Sequence, residues 1–279
     1  MIQIYKGIEY KNMQHLLDVV YKDKPIVLLT KGQANSKTSK SEEVFEDYAV
    51  MIQHLLPHHY ADLLMERGTL RTVCPFATTG HCFEACLNLS GRAKIFRKKD
   101  TTNAIQLARL RRTLLYLNNR EEYMTKLFKE IDLFVKRCIK NNKKPSLRLN
   151  GTSDIQWETI KHEGVTAFEK FPQVQFYDYT KIPTRKISHI PNYHLTWSYS
   201  EANQKYANYF DKLKYNIAVV FSSKTLPPMF KGLRVIDGDK TDMRFLDGNK
   251  RVVVGLKAKG KAKTDTSGFV IHNLNRRTA

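Results

Sequence analysis

Short runs of β-branched and aromatic residues alternate along this chain with longer stretches whose apolar positions recur every three or four residues, the two periods that separate strand from helix. IVLLT (26–30), just after Pro25, reads as a buried strand, and the polar stretch KGQANSKTSKSE behind it reads as a loop. EEVFEDYAVMIQHLL (42–56) has helical spacing up to Pro57. TTNAIQLARLRRTLLYLNN (101–119) opens on capping residues and carries Ile105, Ala108, Leu114 and Leu115 at helical intervals. REEYMTKLFKEIDLFVKRCIKNN follows almost at once, so the two segments are expected to form a packed pair or one bent helix.

Beyond that point the pattern becomes one of repeated strand units. PSLRLNGTSD (145–154), VQFYDYTK (174–181), YHLTWSYSE (193–201), NIAVVFSS (216–223), LRVIDGD (233–239) and RVVVGLKAKG (251–260) each run from apolar into polar residues, with helical segments such as SEANQKYANYFDKL (200–213) between them. Alternating β and α elements imply a parallel sheet. The expected fold is α/β, a complete or partial TIM-type barrel with a helical N-terminal extension. One domain spans 1–279: a strand and helical extension (1–70), a cysteine loop (71–100), and a barrel body ending in a basic segment (101–279). Its functional face is expected at the carboxyl ends of the strands.

Charge changes the picture next. The chain carries 47 basic against 27 acidic residues, a net charge of +20 spread along its length. Such a field favours nucleic acid or another phosphate-bearing substrate as partner. No signal-like segment opens the chain and no stretch nears the roughly 18 apolar residues of a membrane span, so a cytoplasmic protein with no membrane partner is expected. The sequence leaves the oligomeric state open.

In a reducing compartment, clustered cysteines are there for metal or redox chemistry. CPFATTGHCFEAC (74–86) holds Cys74, Cys82 and Cys86, whereas Cys138 falls on the buried side of a helix beside Phe134 and reads as packing. Three thiolates leave one ligand position open. On zinc that position would activate water, and in a cubane iron–sulfur cluster it would leave one iron free. Spacing does not choose between iron and zinc, because thiolate accepts both. Behind Cys86, LNLSGRAKIFRKK supplies Ser90, Gly91, Arg92 and further cations to face a negative charge.

Strand ends supply the remaining candidates. LRLNGTSD opens into Asn150, Ser153 and Asp154, and VQFYDYTK carries Asp178 and Lys181. Asp154 and Asp178 are the candidate catalytic carboxylates, with a helix cap as the alternative role for Asp154. Asn150, Ser153, Lys181, His194 and Arg92 are candidate substrate contacts. Lys257, Lys259, Lys261 and Lys263 recur at every second residue, which on an extended chain forms a phosphate-tracking strip.

The combination CP…C-x3-CLN..GR, RLNGTSD, YDYTK, NYHLTWSYSE and VVVGLKAKGKAKxDTSGF, over about residues 74–270, resembles a bacteriophage family known as gene product 88. That likeness implies a phage protein working in the host cytoplasm and supplies motifs rather than an activity. More loosely, the three-cysteine loop is similar to that of radical S-adenosylmethionine enzymes, which implies a [4Fe-4S] cluster on Cys74, Cys82 and Cys86, with S-adenosylmethionine on its open iron. The spacing C-x7-C-x3-C departs from that superfamily's C-x3-C-x2-C. Three functions are thus expected in order: an iron–sulfur protein, leaning to an enzyme, that acts on nucleic acid or a nucleotide; a zinc base-exchange enzyme similar to the transglycosylase barrels; and a non-catalytic, metal-stabilised nucleic-acid-binding factor.

Overall fold

The computed structural model describes residues 3–83, 85–86, 102–248 and 250–272. A small antiparallel hairpin, β1 (Gln3–Tyr5) and β2 (Ile8–Tyr10), leads into α1 (Met13–Tyr21), whose N-terminus is capped by Asn12. Next come β3 (Leu29–Lys31), α2 (Ser36–Val44), β4 (Tyr48–Gln53), α3 (Tyr60–Leu64), α4 (Ala104–Asn118), α5 (Arg120–Lys140) and β5 (Lys144–Arg148). The chain then runs through α6 (Ala167–Lys170), β6 (Gln175–Thr180), β7 (Tyr193–Ser198), α7 (Gln204–Ala207), β8 (Asn216–Phe221), β9 (Met229–Phe230), β10 (Leu233–Asp237), β11 (Val253–Lys257) and β12 (Val270–Ile271).

Among the described residues, ten strands form one mixed sheet in the order β3-β4-β5-β6-β7-β8-β11-β10-β9, with β12 also paired to β8. From β4 to β8 each strand lies parallel beside its predecessor, as in a barrel. Closure does not follow, so the expected TIM-type barrel, complete or partial, is replaced by an open sheet. Two features keep it open. The order reverses after β8, where β11 inserts between β8 and β10, and the edges are antiparallel additions, β3 on β4 and β9 on β10, that do not pair with each other.

One sheet face is apolar. Leu147, Phe176, Tyr193 and Leu195 pack against α5 through Tyr123, Leu127, Ile131 and Phe134, while Trp197, Val219 and Phe221 pack with Tyr206 and Phe210. Burial of each such side chain contributes about 1.5–3 kcal/mol. Cys138 is buried with Phe134 in this core, as its helical position predicts. The paired helices meet at Asn119, which ends α4 and whose side-chain oxygen accepts from the Glu122 amide at 3.1 Å to start α5.

The other face is mixed, and it explains two corrections. The segment 42–56 is not one helix: α2 ends at Val44, and Tyr48–Gln53 is a strand buried on both faces, a run in which the period-two signal disappears. The polar stretch before it is no loop. It enters α2, where Thr38 and Ser41 are buried and the Ser41 hydroxyl accepts from the Asp242 amide at 2.6 Å, because the sheet surface beneath is itself ionic.

The β4 and β5 ends touch where the Gly151 amide donates to the Gln53 carbonyl at 3.0 Å. A methyl group on Gly151 would collide with that carbonyl oxygen. Gly151→Ala is therefore expected to lower stability by about 1–3 kcal/mol in urea unfolding, and an unchanged midpoint would show that the two strand ends separate freely.

Candidate functional site

The carboxyl ends of β5, β6 and β7 are joined by a buried polar network. Asp178 is 1% exposed; its carboxylate accepts from the Asn150 amide (2.6 Å), the Asn150 side chain (3.3 Å) and the Tyr193 hydroxyl (2.9 Å). Burial pushes its carboxyl group up to about 7. The Asn150 side-chain oxygen accepts from Ser153 Oγ, the Ile155 amide and Trp157 Nε1, which makes Asn150 a hub and engages Ser153 as well. Asp154 accepts from Thr180 Oγ1 and the Lys181 amide, each at 2.7 Å, and Arg185 lies 3.6 Å away. The segment after it holds only a 3₁₀ turn, Trp157–Thr159, with no side-chain cap, so the capping role expected as an alternative for Asp154 is not taken up.

The cysteine loop sits on these ends. The Asp154 amide donates to the Val73 carbonyl at 2.8 Å, which fixes where the loop begins. Cys74 Sγ accepts from the His58 amide at 3.4 Å and lies 3.8 Å from the Thr152 carbonyl; Cys82 Sγ lies 3.8 Å from the Ala77 carbonyl. Phe83 stacks near His58 and Tyr60, and Ala85 is buried against Ala262 and Val270 of the C-terminal segment. Burial, followed by Asp154, Cys86 and Cys82, holds the Cys74 thiol well above its ordinary value. Burial also raises the Cys82 thiol, against the pull of Lys181. Cys86 acts electrostatically on Tyr60 and Arg109. Cys74 therefore senses both of the other thiols, although among the described residues no group of three or more His, Cys, Asp or Glu side chains stands in a metal-holding arrangement.

Lys181 completes the rim. Its ammonium donates to the Ser198 and Tyr199 carbonyls at 2.9 and 3.1 Å and lies 4.6 Å from the centre of the Phe269 ring. Burial draws it down to about 8. Gly80 passes so close that a methyl there would meet the Lys181 chain at 2.7 Å.

Cys74, Cys82, Cys86, Asn150, Ser153, Asp154, Asp178 and Lys181 thus gather at one end of the sheet. His194 does not join them: it lies with Tyr177 on the opposite face, where burial and Arg244 push it down to about 4. Lys257 closes β11 and borders a shallow groove of about 480 Å³ with Lys224 and Asp237. Lys259 pairs with Asp239 at 2.7 Å. The period-two strip is broken, because Lys261 and Lys263 lie on a 3₁₀ turn, Gly260–Thr264, and not on an extended chain. Arg92, Ser90 and Gly91 lie outside the described residues. Sequence reasoning gives Thr180 and Phe269 no role at the site although they stand in the motifs YDYTK and DTSGF, and it misses Arg185, which stands in no quoted motif. Among the described residues no helix is long and apolar enough to cross a membrane.

The family described as Gene product 88 matches residues 27–273, which takes in the whole rim. No curated protein and no solved structure matches the chain.

A raised carboxyl pKa means that the folded state keeps a proton the unfolded state has already released. Stability tied to Asp178 is therefore present at acid pH and lost as pH rises from the ordinary carboxylate range, roughly 4, through about 7. Thermal unfolding at pH 5 and pH 8 should show wild type losing stability relative to Asp178→Asn across that interval; parallel pH profiles would place the carboxylate in an environment that tolerates its charge.

Proposed function

We propose that this chain, which belongs to the gene product 88 family of bacteriophage proteins, is an iron–sulfur protein. Cys74, Cys82 and Cys86 hold the cluster, and a phosphate-bearing partner, nucleic acid or nucleotide, approaches the same rim. The observation that supports this reading is that the Cys74 thiol senses both Cys82 and Cys86, while the Lys181 ammonium at the strand ends acts on Cys82 and the Arg109 guanidinium of α4 senses Cys86.

The chemistry of the donors, three thiols, suits such a group, which would have to draw their sulfurs together from the positions they hold here. Three adjacent thiolates repel one another unless a cation or cluster takes up their charge, and without one burial keeps Cys74 and Cys82 protonated. When bound, a cluster with three protein ligands leaves one iron open to a substrate. The chain's own residues then do the rest. Asp154 holds the start of the loop on the strand ends, Lys181 fixes the carbonyls at the end of β7, and Ala85 ties the loop to the C-terminal segment. Radical chemistry on S-adenosylmethionine is not part of this proposal, since the barrel that would have supported it is replaced by an open sheet. The net charge of +20 independently favours a polyanionic partner.

Protein purified without oxygen is expected to carry about four irons and four sulfides per chain. Cys74→Ser, Cys82→Ser and Cys86→Ser should each lose iron while keeping the wild-type far-UV circular dichroism. One zinc and no iron would transfer the site to the zinc reading, and metal-free protein would overturn both. Affinity for a random single-stranded oligonucleotide should fall linearly with the logarithm of salt concentration; no binding at low salt would remove the nucleic-acid half of the proposal.

A further inference from the structure

The opposite face of the sheet carries a second polar cluster that the rim does not use. Tyr177 pairs in register with His194, and continuing the β5–β6 register sets Arg148 beside Tyr177, so these side chains form one row across three strands. Thr196 follows two residues after His194 on the same face. Over them lie α2 and the segment carrying Asp242, Arg244, Phe245 and Asp247, with Phe245 against the Tyr177 ring at 5.4 Å.

Donors in this space outnumber their acceptors. Asp242 takes Lys37 at 3.1 Å and Arg148 Nη1 at 2.9 Å, which hold its carboxyl group well below the usual range despite burial. Arg244 uses Nη2 on the Thr241 carbonyl and hydroxyl, and its Nε stands 3.4 Å from Asp247. Among the described residues, Tyr177 Oη, Thr196 Oγ1, His194 Nε2, Arg148 Nε and Arg244 Nη1 then have no hydrogen-bond partner. Tyr177 and Thr196 are 0% exposed and Arg244 is 2% exposed. Three cations, Lys37, Arg148 and Arg244, face two carboxylates, and burial pushes that of Asp247 up to about 6. A native interior seldom leaves so many donors unpaired unless they serve something. Lys37, Arg148, Tyr179 and His194 at the edge of the cluster are partly exposed.

We propose that this buried polar cluster binds an anionic oxygen group, phosphate or carboxylate, held by Arg148 and Arg244 with the Tyr177 and Thr196 hydroxyls donating to its oxygens. The site is independent of the cysteine rim. The N–H groups left over, Arg148 Nε and Arg244 Nη1, are charged donors that suit an oxyanion.

The test is calorimetric titration and thermal unfolding with inorganic phosphate and, separately, with acetate, on wild type, Tyr177→Phe and Thr196→Val. Saturable binding with a raised Tm is expected for at least one anion, and which of the two binds separates the phosphate from the carboxylate source. Each variant should bind that anion about tenfold more weakly, the scale of one hydrogen bond to a charged group. Without anion, both variants should unfold at or above the wild-type temperature, because each removes an unpaired buried hydroxyl. If neither anion binds, or if both variants bind as tightly as wild type, the proposal is overturned. Both variants keep all three cysteines, so their metal content should match wild type and a failure here leaves the cluster proposal standing.

Discussion

Burying a carboxylate among strand ends is tolerable only if several donors converge on it, and that constraint organises the carboxyl side of this sheet. Asp178 draws the Asn150 backbone, the Asn150 side chain and the Tyr193 hydroxyl onto one group, so β5, β6 and β7 are set relative to one another by a side chain as well as by their ladders. Each such bond is worth about 1 kcal/mol while Asp178 keeps its proton, and an unmet partner in this interior would forfeit at least as much. Asn150 passes the constraint on to Ile155 and Trp157, and Asp154 carries it to Val73, Thr180 and Lys181. The cysteine loop therefore starts from a fixed point.

The two sheet faces meet the same constraint differently. On the apolar face, α5 supplies Leu127, Ile131 and Phe134 to Leu147 and Phe176, and the polar groups to be matched are gathered around Asp178 and Thr180 toward the strand ends. On the other, Arg148 projects from between Leu147 and Leu149, and its charge is met by Asp242, stacked on by Tyr179 and flanked by Lys37. A helix covering such a surface has no use for an apolar stripe. This is why α2, with the sequence SKTSKSEEV, can be polar and still bury Thr38 and Ser41.

That division also decides what could be read from the sequence. The strands at 174–181, 193–201 and 216–223 and the long helices around Asn119 were legible because their apolar positions keep one period against an apolar partner. The helix at 36–44 was not, since its partner is ionic, and β4 was misread because burial on both faces erases alternation. Among candidate site residues, the gathering of the cysteines with Asp154, Asp178 and Lys181 followed from placing strand ends on one rim. The position of His194 did not, because local alternation says which residues share a face but not which face meets the loop. Arg185 and Asp242 could not have been found: each takes part through an ion pair with a residue distant in sequence, Glu158 or Arg148, that no local pattern announces.

The open sheet is what allows the rim to exist in this form. β7 pairs with β8 from Thr196↔Asn216 to Ser198↔Ala218 and then leaves it; β12 takes the freed edge at Val220 and Phe221. A closed barrel would have kept that edge for β7 along its whole length. Because it is shared, the C-terminal segment is brought into the sheet itself, where the Gly268 carbonyl accepts the Glu201 amide, Phe269 covers the Lys181 ammonium and Val270 meets Ala85. Lys181 in turn holds the Ser198 and Tyr199 carbonyls at the point where β7 departs, so a cation occupies the place where two parallel strands would otherwise expose unpaired acceptors. Loop, lysine and C-terminal segment are thus three answers to one local problem, the unpaired backbone left where the sheet divides, and the chemistry of the rim is assembled from those answers.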